Sequence, residues 1–167
     1  MEEVSLGMRI LFIAVTVAVG FGVVFVFAAS VFRPMRVAGD AMSPAIDDGG
    51  WYVMLPTDYS ADYRRGELVV IRPPVISDDE VWVRRVIAIA GQTVSWDEMG
   101  NVLVDGVILY ESYARPQPLS ALPDPVVVPA GSVYVLADLR GTVQDSSQPF
   151  VGCVKLRQIL GKVLFSF

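Results

Sequence analysis

This chain of 167 residues contains no histidine, one cysteine and only two lysines, Lys155 and Lys162. The single Cys153 excludes an intrachain disulfide, and a zinc site without histidine would need mostly carboxylate ligands, so we expect neither a metal nor another cofactor. Cys153 lies in the apolar run 150–154, which favours a buried core thiol, and no histidine is available to activate it as a nucleophile. Catalysis that depends on histidine is therefore excluded.

Basic residues are also in the minority. The chain has 13 lysines and arginines against 18 aspartates and glutamates, which gives a net charge of −5. A nucleic-acid partner normally requires a basic face, so this balance argues against one. No glycine-rich phosphate loop fits the chain either.

Apolar residues, in contrast, are abundant, at 53% of the chain, and residues 10–32 carry no charged side chain. At about 1.5 Å per residue, this segment gives roughly 35 Å of helix, enough to cross a hydrocarbon core of about 30 Å. A cleaved secretory signal is the alternative, because Ala28, Ala29 and Ser30 offer small residues at a cleavage site. The segment exceeds the usual h-region of about 7 to 15 residues, which favours a retained anchor in the lipid bilayer.

We therefore expect a short flank over residues 1–9, a transmembrane anchor over 10–32 and one domain over 33–167. The orientation of this anchor is poorly marked. Arg9 and the α-amino group precede the segment, whereas Arg33 and Arg36 follow it. Counting lysines and arginines alone slightly favours a cytoplasmic C-terminal domain.

After Pro34, short β-branched runs alternate with glycine, proline, aspartate and asparagine, which predicts a mainly β domain. The turn around Gly100 joins two alternating runs, so residues 92–106 should form a hairpin. Four prolines make residues 113–125 an exposed loop. The predicted strands are 35–38, 51–55, 67–72, 81–89, 93–96, 102–105, 126–128, 133–137, 152–156 and 160–165.

A series of motifs follows the apolar segment. Residues 39–44 read Gly-Asp-Ala-Met-Ser-Pro, and further blocks lie at 66–70, 84–92, 103–106, 111–113, 137–140 and 145–146. In this order they resemble the motifs of bacterial type I signal peptidases, the Ser/Lys leader peptidases of the membrane, in their small Gram-positive-like form. The resemblance implies a signal-peptidase-like β-sheet or barrel domain behind one transmembrane helix, on the extracytoplasmic side of the plasma membrane.

The catalytic positions are substituted. In that family a serine attacks the scissile carbonyl and a neutral lysine accepts its proton, but here Ala41 holds the serine's position and Arg84 the lysine's. A methyl group cannot attack, and an arginine is not deprotonated in proteins. Val143 replaces the serine that supports the lysine, and Ser147 replaces an arginine.

The remaining motif residues are expected to support the site. The resemblance places Asp138 and Asp145 in a structural ion-pair network with Arg140, and an acid/base carboxylate pair is the alternative. The supporting residues are Gly39, Met42, Pro44, Arg85, Asp138, Arg140, Asp145 and Ser146.

The resemblance also implies a groove in which an extended peptide adds as a strand, a mode that needs only backbone hydrogen bonds. Its predicted residues are Val37, Ala38, Asp40, Val81, Trp82 and Val83. We therefore predict a non-catalytic family member that binds a segment of a secreted protein or pilin as a chaperone or pilus-assembly factor.

The alternatives are an active signal peptidase with displaced catalytic residues and an engineered inactive form. An active enzyme would need a new dyad, in which Ser43, two residues from Ala41, works with one of the two lysines. Against engineering, Ala137, Leu139, Val143 and Ser147 also depart from the family motifs, and a deliberate knockout would not require those changes.

Overall fold

The computed structural model describes residues 6–59, 62–73, 80–114, 122–141 and 144–167. The chain divides into two compact units, Met1–Arg33 and Pro34–Phe167. The first contains a single helix, α1, at Leu6–Val31, whose side chains are almost all exposed. By length and composition alone this helix is able to cross a membrane. A helix that is apolar on every side suits lipid, because it has no polar face to present to water.

The second unit is built from strands, and its first strand begins at the boundary residue. Two short 3-10 helices, Thr57–Tyr59 and Leu156–Gln158, interrupt them. The strands are β1 Arg33–Arg36, β2 Trp51–Pro56, β3 Leu68–Ile71, β4 Trp82–Ile89, β5 Thr93–Trp96, β6 Val102–Val104, β7 Val107–Ile108, β8 Val126–Val127, β9 Ser132–Leu136, β10 Val154–Lys155 and β11 Ile159–Ser166.

These strands form two sheets. The larger has the order β1-β2-β11-β3-β4-β9-β10, and the smaller has the order β7-β6-β5-β8. The long strand β4 is central and pairs antiparallel with β3 and β9. It is buried on both faces for most of its length, although Arg84 and Arg85 interrupt its apolar residues. Ile87 and Ala88 of β4 pack against Val94 and Val102 of the smaller sheet in one core cluster.

The prediction of a mainly β chain behind one apolar helix is confirmed. The hairpin around Gly100 is also present: β5 and β6 pair antiparallel, and Gly100 has a φ of 81°. The sequence analysis missed β7, a strand of only two residues. The predicted strand 35–38 lies at Arg33–Arg36 instead, because the backbone turns at Gly39, where φ is 91°. The predicted loop 113–125 lies largely outside the described residues.

Candidate functional site

One groove of the second unit contains both Ala41 and Arg84, the predicted positions of the nucleophile and the general base. Its volume is about 500 Å³, and residues from the segment after β1 and from the beginning of β4 line it. All six predicted groove residues, together with Ala41 and Arg84, are among the lining residues. The full set is Arg36, Val37, Ala38, Gly39, Asp40, Ala41, Met42, Tyr52, Glu80, Val81, Trp82, Val83, Arg84 and Gln144.

The segment that carries Ala41 is a tight turn held by polar contacts. The backbone N–H of Gly39 donates to Asp48 Oδ1 at 2.7 Å, and the positive φ of Gly39 makes this turn accessible. Met42 is 1% exposed and packs in one cluster with Val37 and Val83. The carbonyl of Ala41 accepts a hydrogen bond from Leu139 N at 3.0 Å. Met42 therefore anchors the motif in the core while its neighbour Ala41 faces the groove.

The segment that carries Arg84 offers a free strand edge. β4 pairs with β3 from Trp82 to Arg85, but its pairing with β9 begins only at Arg85. Among the residues that the structure describes, Trp82–Arg84 therefore have a strand partner on one side only. The unpaired edge faces the same groove as residues 38–41.

The side chain of Arg84 is fixed inside this groove. Only 5% of the residue is exposed. Its Nε and Nη2 donate to the backbone oxygen of Gln144 at 2.9 and 2.6 Å, and its Nη1 donates to the oxygen of Val83 at 2.7 Å. Its guanidinium carbon also lies 4.8 Å from the centre of the Trp82 ring. Burial lowers the pKa of Arg84 to about 10, although Asp145 and Glu80 oppose that change. The guanidinium therefore remains charged at neutral pH.

The structure does not bring a substitute dyad together. The Ser43 hydroxyl donates to Asp47 Oδ1 at 2.9 Å, and Ser43 does not line the groove. Lys162 Nζ pairs with Glu67 at 2.9 Å, and Lys155 lines a separate cleft beside Cys153. Within the described ranges, no three histidine, cysteine or carboxylate side chains converge on a metal-sized site.

Behind the groove, Arg85 forms a buried ion pair with Asp138. Arg85 Nε and Nη2 donate to the two carboxylate oxygens at 2.8 and 2.5 Å, and Nη1 donates to the oxygen of Gly66 at 2.8 Å. The Tyr113 ring covers the guanidinium at 3.9 Å. Burial raises the pKa of Asp138, and the hydrogen bonds from Arg85 oppose that rise. This pair connects β4 to the end of β9.

The predicted network with Arg140 is wrong in its pairing. Arg140 pairs with Glu111 instead, with Nη1 and Nη2 at 3.1 and 2.5 Å from its carboxylate oxygens, and Arg140 Nε donates to Ala137 O at 2.6 Å. The reason is register: Arg85 lies opposite Leu136, two residues before Asp138, and so reaches that carboxylate first. Glu111, in the block 111–113, was missed as the partner of Arg140.

The side chains of Asp145 and Ser146 do not bond each other, and each accepts a hydrogen bond from a backbone N–H. Asp145 Oδ2 accepts from Ala137 N at 3.0 Å, and Oδ1 accepts from the Ser147 hydroxyl at 2.6 Å. The Ser146 hydroxyl accepts from Val135 N at 3.1 Å. Both residues are buried, so they shape the segment that ends in the groove at Gln144. These contacts favour a structural role over an acid/base carboxylate pair.

Four residues that line the groove were missed from the sequence: Arg36, Tyr52, Glu80 and Gln144. Gln144 contacts Arg84 through its backbone oxygen, and no pattern of side chains in the sequence indicates such a contact. Glu80 accepts a hydrogen bond from Trp82 Nε1 at 2.9 Å and adds negative charge near Arg84. Val143, predicted as the position that would support a lysine, lies outside the described residues.

Comparisons with known proteins identify the family and the fold of this chain. The model of the family "Signal peptidase, peptidase S26" matches residues 8–167. The probable signal peptidase I-1 of Synechocystis sp. is 32% identical over 144 residues, which cover 82% of this chain and 71% of that protein. Signal peptidase I S of Bacillus subtilis is 28% identical over 179 residues, with 99% and 93% covered.

A crystal structure of a signal peptidase I from Enterococcus faecalis has the same fold. It superposes with a TM-score of 0.51 at 21% identity and covers 60% of this chain and 96% of that one. The fold class expected from the motifs is thereby confirmed. On the family match and these relatives together, the chain belongs to the signal peptidase family, peptidase S26.

Proposed function

We propose that this chain is a non-catalytic member of its family that binds an extended peptide in the groove. The observation that carries the proposal is the side chain of Arg84, which is buried at the predicted position of the general base and lines the same groove as Ala41. With a pKa of about 10 the guanidinium stays protonated at neutral pH and accepts no proton. Ala41 has no oxygen with which to attack a carbonyl.

Peptide binding survives the loss of these two groups because it uses backbone atoms. Within Trp82–Arg84 the backbone of Val83 lies on the unpaired edge, because Trp82 and Arg84 direct their backbone groups toward β3, as Val86 does. The Val83 N–H is available to an added strand, whereas its C=O already accepts from Arg84 Nη1, and residues 38–41 lie along the same groove. Such β-strand addition takes its affinity from main-chain hydrogen bonds. A segment of a secreted protein or pilin is the occupant we propose, and chaperoning or pilus assembly is the role.

An active leader peptidase is the competing function, and membership of the family favours it because the relatives are named as signal peptidases. An engineered inactive form is a further alternative. The groove chemistry opposes an active enzyme, since Ser43 bonds Asp47 and both lysines lie outside the groove.

Peptide retention tests the proposal. An immobilised leader peptide should retain the full chain in detergent micelles. Ala38→Trp places a large side chain in the groove and should weaken the binding by about tenfold or more, which corresponds to about 1.4 kcal/mol. Ala130→Trp is the matched control, because Ala130 is also exposed but lines a different cleft. If the unsubstituted chain is not retained at all, the domain is a purely structural part and the proposal fails.

We also propose that residues 34–167 lie on the extracytoplasmic side of a single-pass anchor. Charge counting favours the opposite side by only one arginine, and the free N-terminal amine narrows that difference. Protease added to intact spheroplasts should therefore digest the domain, and a cytoplasmic marker protein should stay intact. Protection of the domain under these conditions would reverse the assignment.

A further inference from the structure

We propose that the preferred occupant of the groove is a peptide with a free C-terminal α-carboxylate, which pairs with the guanidinium of Arg84. The proposal deepens the proposed function and rests on it. It names the class of ligand as the carboxylate end of a cleaved or terminal peptide, in contrast to the interior of an intact chain.

The donor count of Arg84 is the first argument. A guanidinium carries five N–H groups, and three of them donate to the oxygens of Val83 and Gln144. Among the described residues, one N–H on Nη1 and one on Nη2 have no acceptor. These two nitrogens form the fork that binds a carboxylate through two parallel hydrogen bonds. An internal peptide carbonyl can accept from both, as the oxygen of Gln144 does from Nε and Nη2, but it is neutral and lacks the charge-assisted, parallel geometry of a carboxylate.

The second argument is charge. Arg84 is 5% exposed, and in the part of the chain that the structure describes no carboxylate lies within ion-pair distance of it. The two acids that influence it are engaged elsewhere: Asp145 bonds Ala137 N, and Glu80 bonds Trp82 Nε1. Asp145 and Glu80 therefore offset the buried charge only without direct contact, and an incoming carboxylate in direct contact reduces the cost of burying it further.

The surrounding charges do not cancel this preference. Among the described residues, Arg36 and Arg84 line the groove together with Asp40 and Glu80, so this described lining has no excess of either sign. Asp40 is exposed, and solvent and salt screen its repulsion. Arg84 is buried, where charge interactions are stronger.

Three forms of one leader-type peptide ending in Ala-Ser-Ala test the proposal. The first has a free C-terminal acid, the second a C-terminal amide, and the third continues through further residues. Affinities are measured by fluorescence anisotropy on the full chain in neutral detergent micelles. The acid should bind at least about tenfold more tightly than the amide or the extended form, as expected for hydrogen bonds to a charged group.

Substitutions assign the preference to Arg84. Arg84→Gln should bring the ratio of acid to amide affinity close to one, whatever happens to the absolute affinities. Arg36→Gln is the control, because Arg36 lines the same groove but is exposed, donates to Gly49 O and stacks on Trp51. It should preserve the ratio.

The outcomes are distinguishable. If all three peptides bind equally well, the carboxylate preference is wrong and peptide binding stands. If none binds, the proposed function itself fails. A preference that persists in Arg84→Gln would assign the carboxylate to another cation and overturn the inference. Should Arg84→Gln fail to fold, the Arg36→Gln chain decides the assignment: a preference for the acid that persists there supports Arg84, and a preference that disappears there overturns the inference.

Discussion

The unsubstituted chain is expected to show no turnover of an Ala-x-Ala leader peptide, and Ala41→Ser combined with Arg84→Lys is expected to restore very little. The double substitution returns the two atoms that the reaction needs, an attacking oxygen and a basic nitrogen. It does not return the surroundings that keep a lysine neutral. We expect its rate to stay at least about a hundredfold below that of an active relative, since a misplaced or protonated general base forfeits a factor of about 10² to 10⁴.

The contacts of Arg84 explain this expectation. A lysine at position 84 would lie near the oxygens of Val83 and Gln144, which now accept hydrogen bonds from the guanidinium. Burial disfavours the charged ammonium, whereas the two carbonyl oxygens and the nearby carboxylates of Asp145 and Glu80 favour it, as they favour the guanidinium that keeps its charge at this position. Position 143 is valine, whose side chain has no hydroxyl to orient the lysine. The lysine would therefore remain protonated at neutral pH.

Cleavage of a fluorogenic leader peptide in detergent measures these rates. Signal peptidase I S of Bacillus subtilis serves as the positive control, and Ala41→Ser alone separates the contribution of the nucleophile. Adding Val143→Ser to the double substitution should raise the rate. Full turnover from the double substitution alone would contradict the view that the whole site has decayed. Turnover by the native chain that disappears in Ser43→Ala would show an active enzyme with a displaced nucleophile.

The strands were predictable because their signal is local. β4 contains valine or isoleucine on both sides of Arg84 and Arg85, and such β-branched residues are typical of strands. Each of the ten predicted strands overlaps an observed one, and only the two-residue strand β7 was missed. Order within the sheet was not predictable in the same way. The pairing of Arg85 with Leu136 joins positions 51 residues apart, and no local pattern specifies such a partner.

The site residues also divide into those that the local sequence identifies and those that depend on contacts between distant positions. Ala41, Arg84 and the groove residues were found because motif spacing identifies positions along the chain. The partners of the charged residues depend on register and burial, so Asp138 was assigned to Arg140 although it bonds Arg85. The support of Arg84 comes from the backbone oxygens of Val83 and Gln144. Since every residue has such an oxygen, residue type alone carries no information about this contact.

Asp138→Ala is expected to destabilise the domain by about 3 to 5 kcal/mol, which is typical when one partner of a buried ion pair is removed. The carboxylate has no exposed surface, and the side chain of Arg85 is only 11% exposed. Without Asp138, the guanidinium keeps Gly66 O and the Tyr113 ring but loses its counterion. Denaturant unfolding of the full chain in micelles, followed by tryptophan fluorescence, measures the loss.

Asp62→Ala is the matched control, because Asp62 pairs with Arg64 at a surface site where both side chains are 77% exposed. Solvent screens that pair, so its removal should leave the unfolding midpoint unchanged. A second comparison replaces Arg85 and Asp138 together with Met and Leu, which removes both charges and should recover part of the lost stability. Equal midpoints for Asp138→Ala and Asp62→Ala would contradict a structural role for the pair. A large difference would show that the Arg85–Asp138 ion pair stabilises the domain behind the groove. Such a role is expected if the groove is retained for binding although its predicted reactive groups have changed.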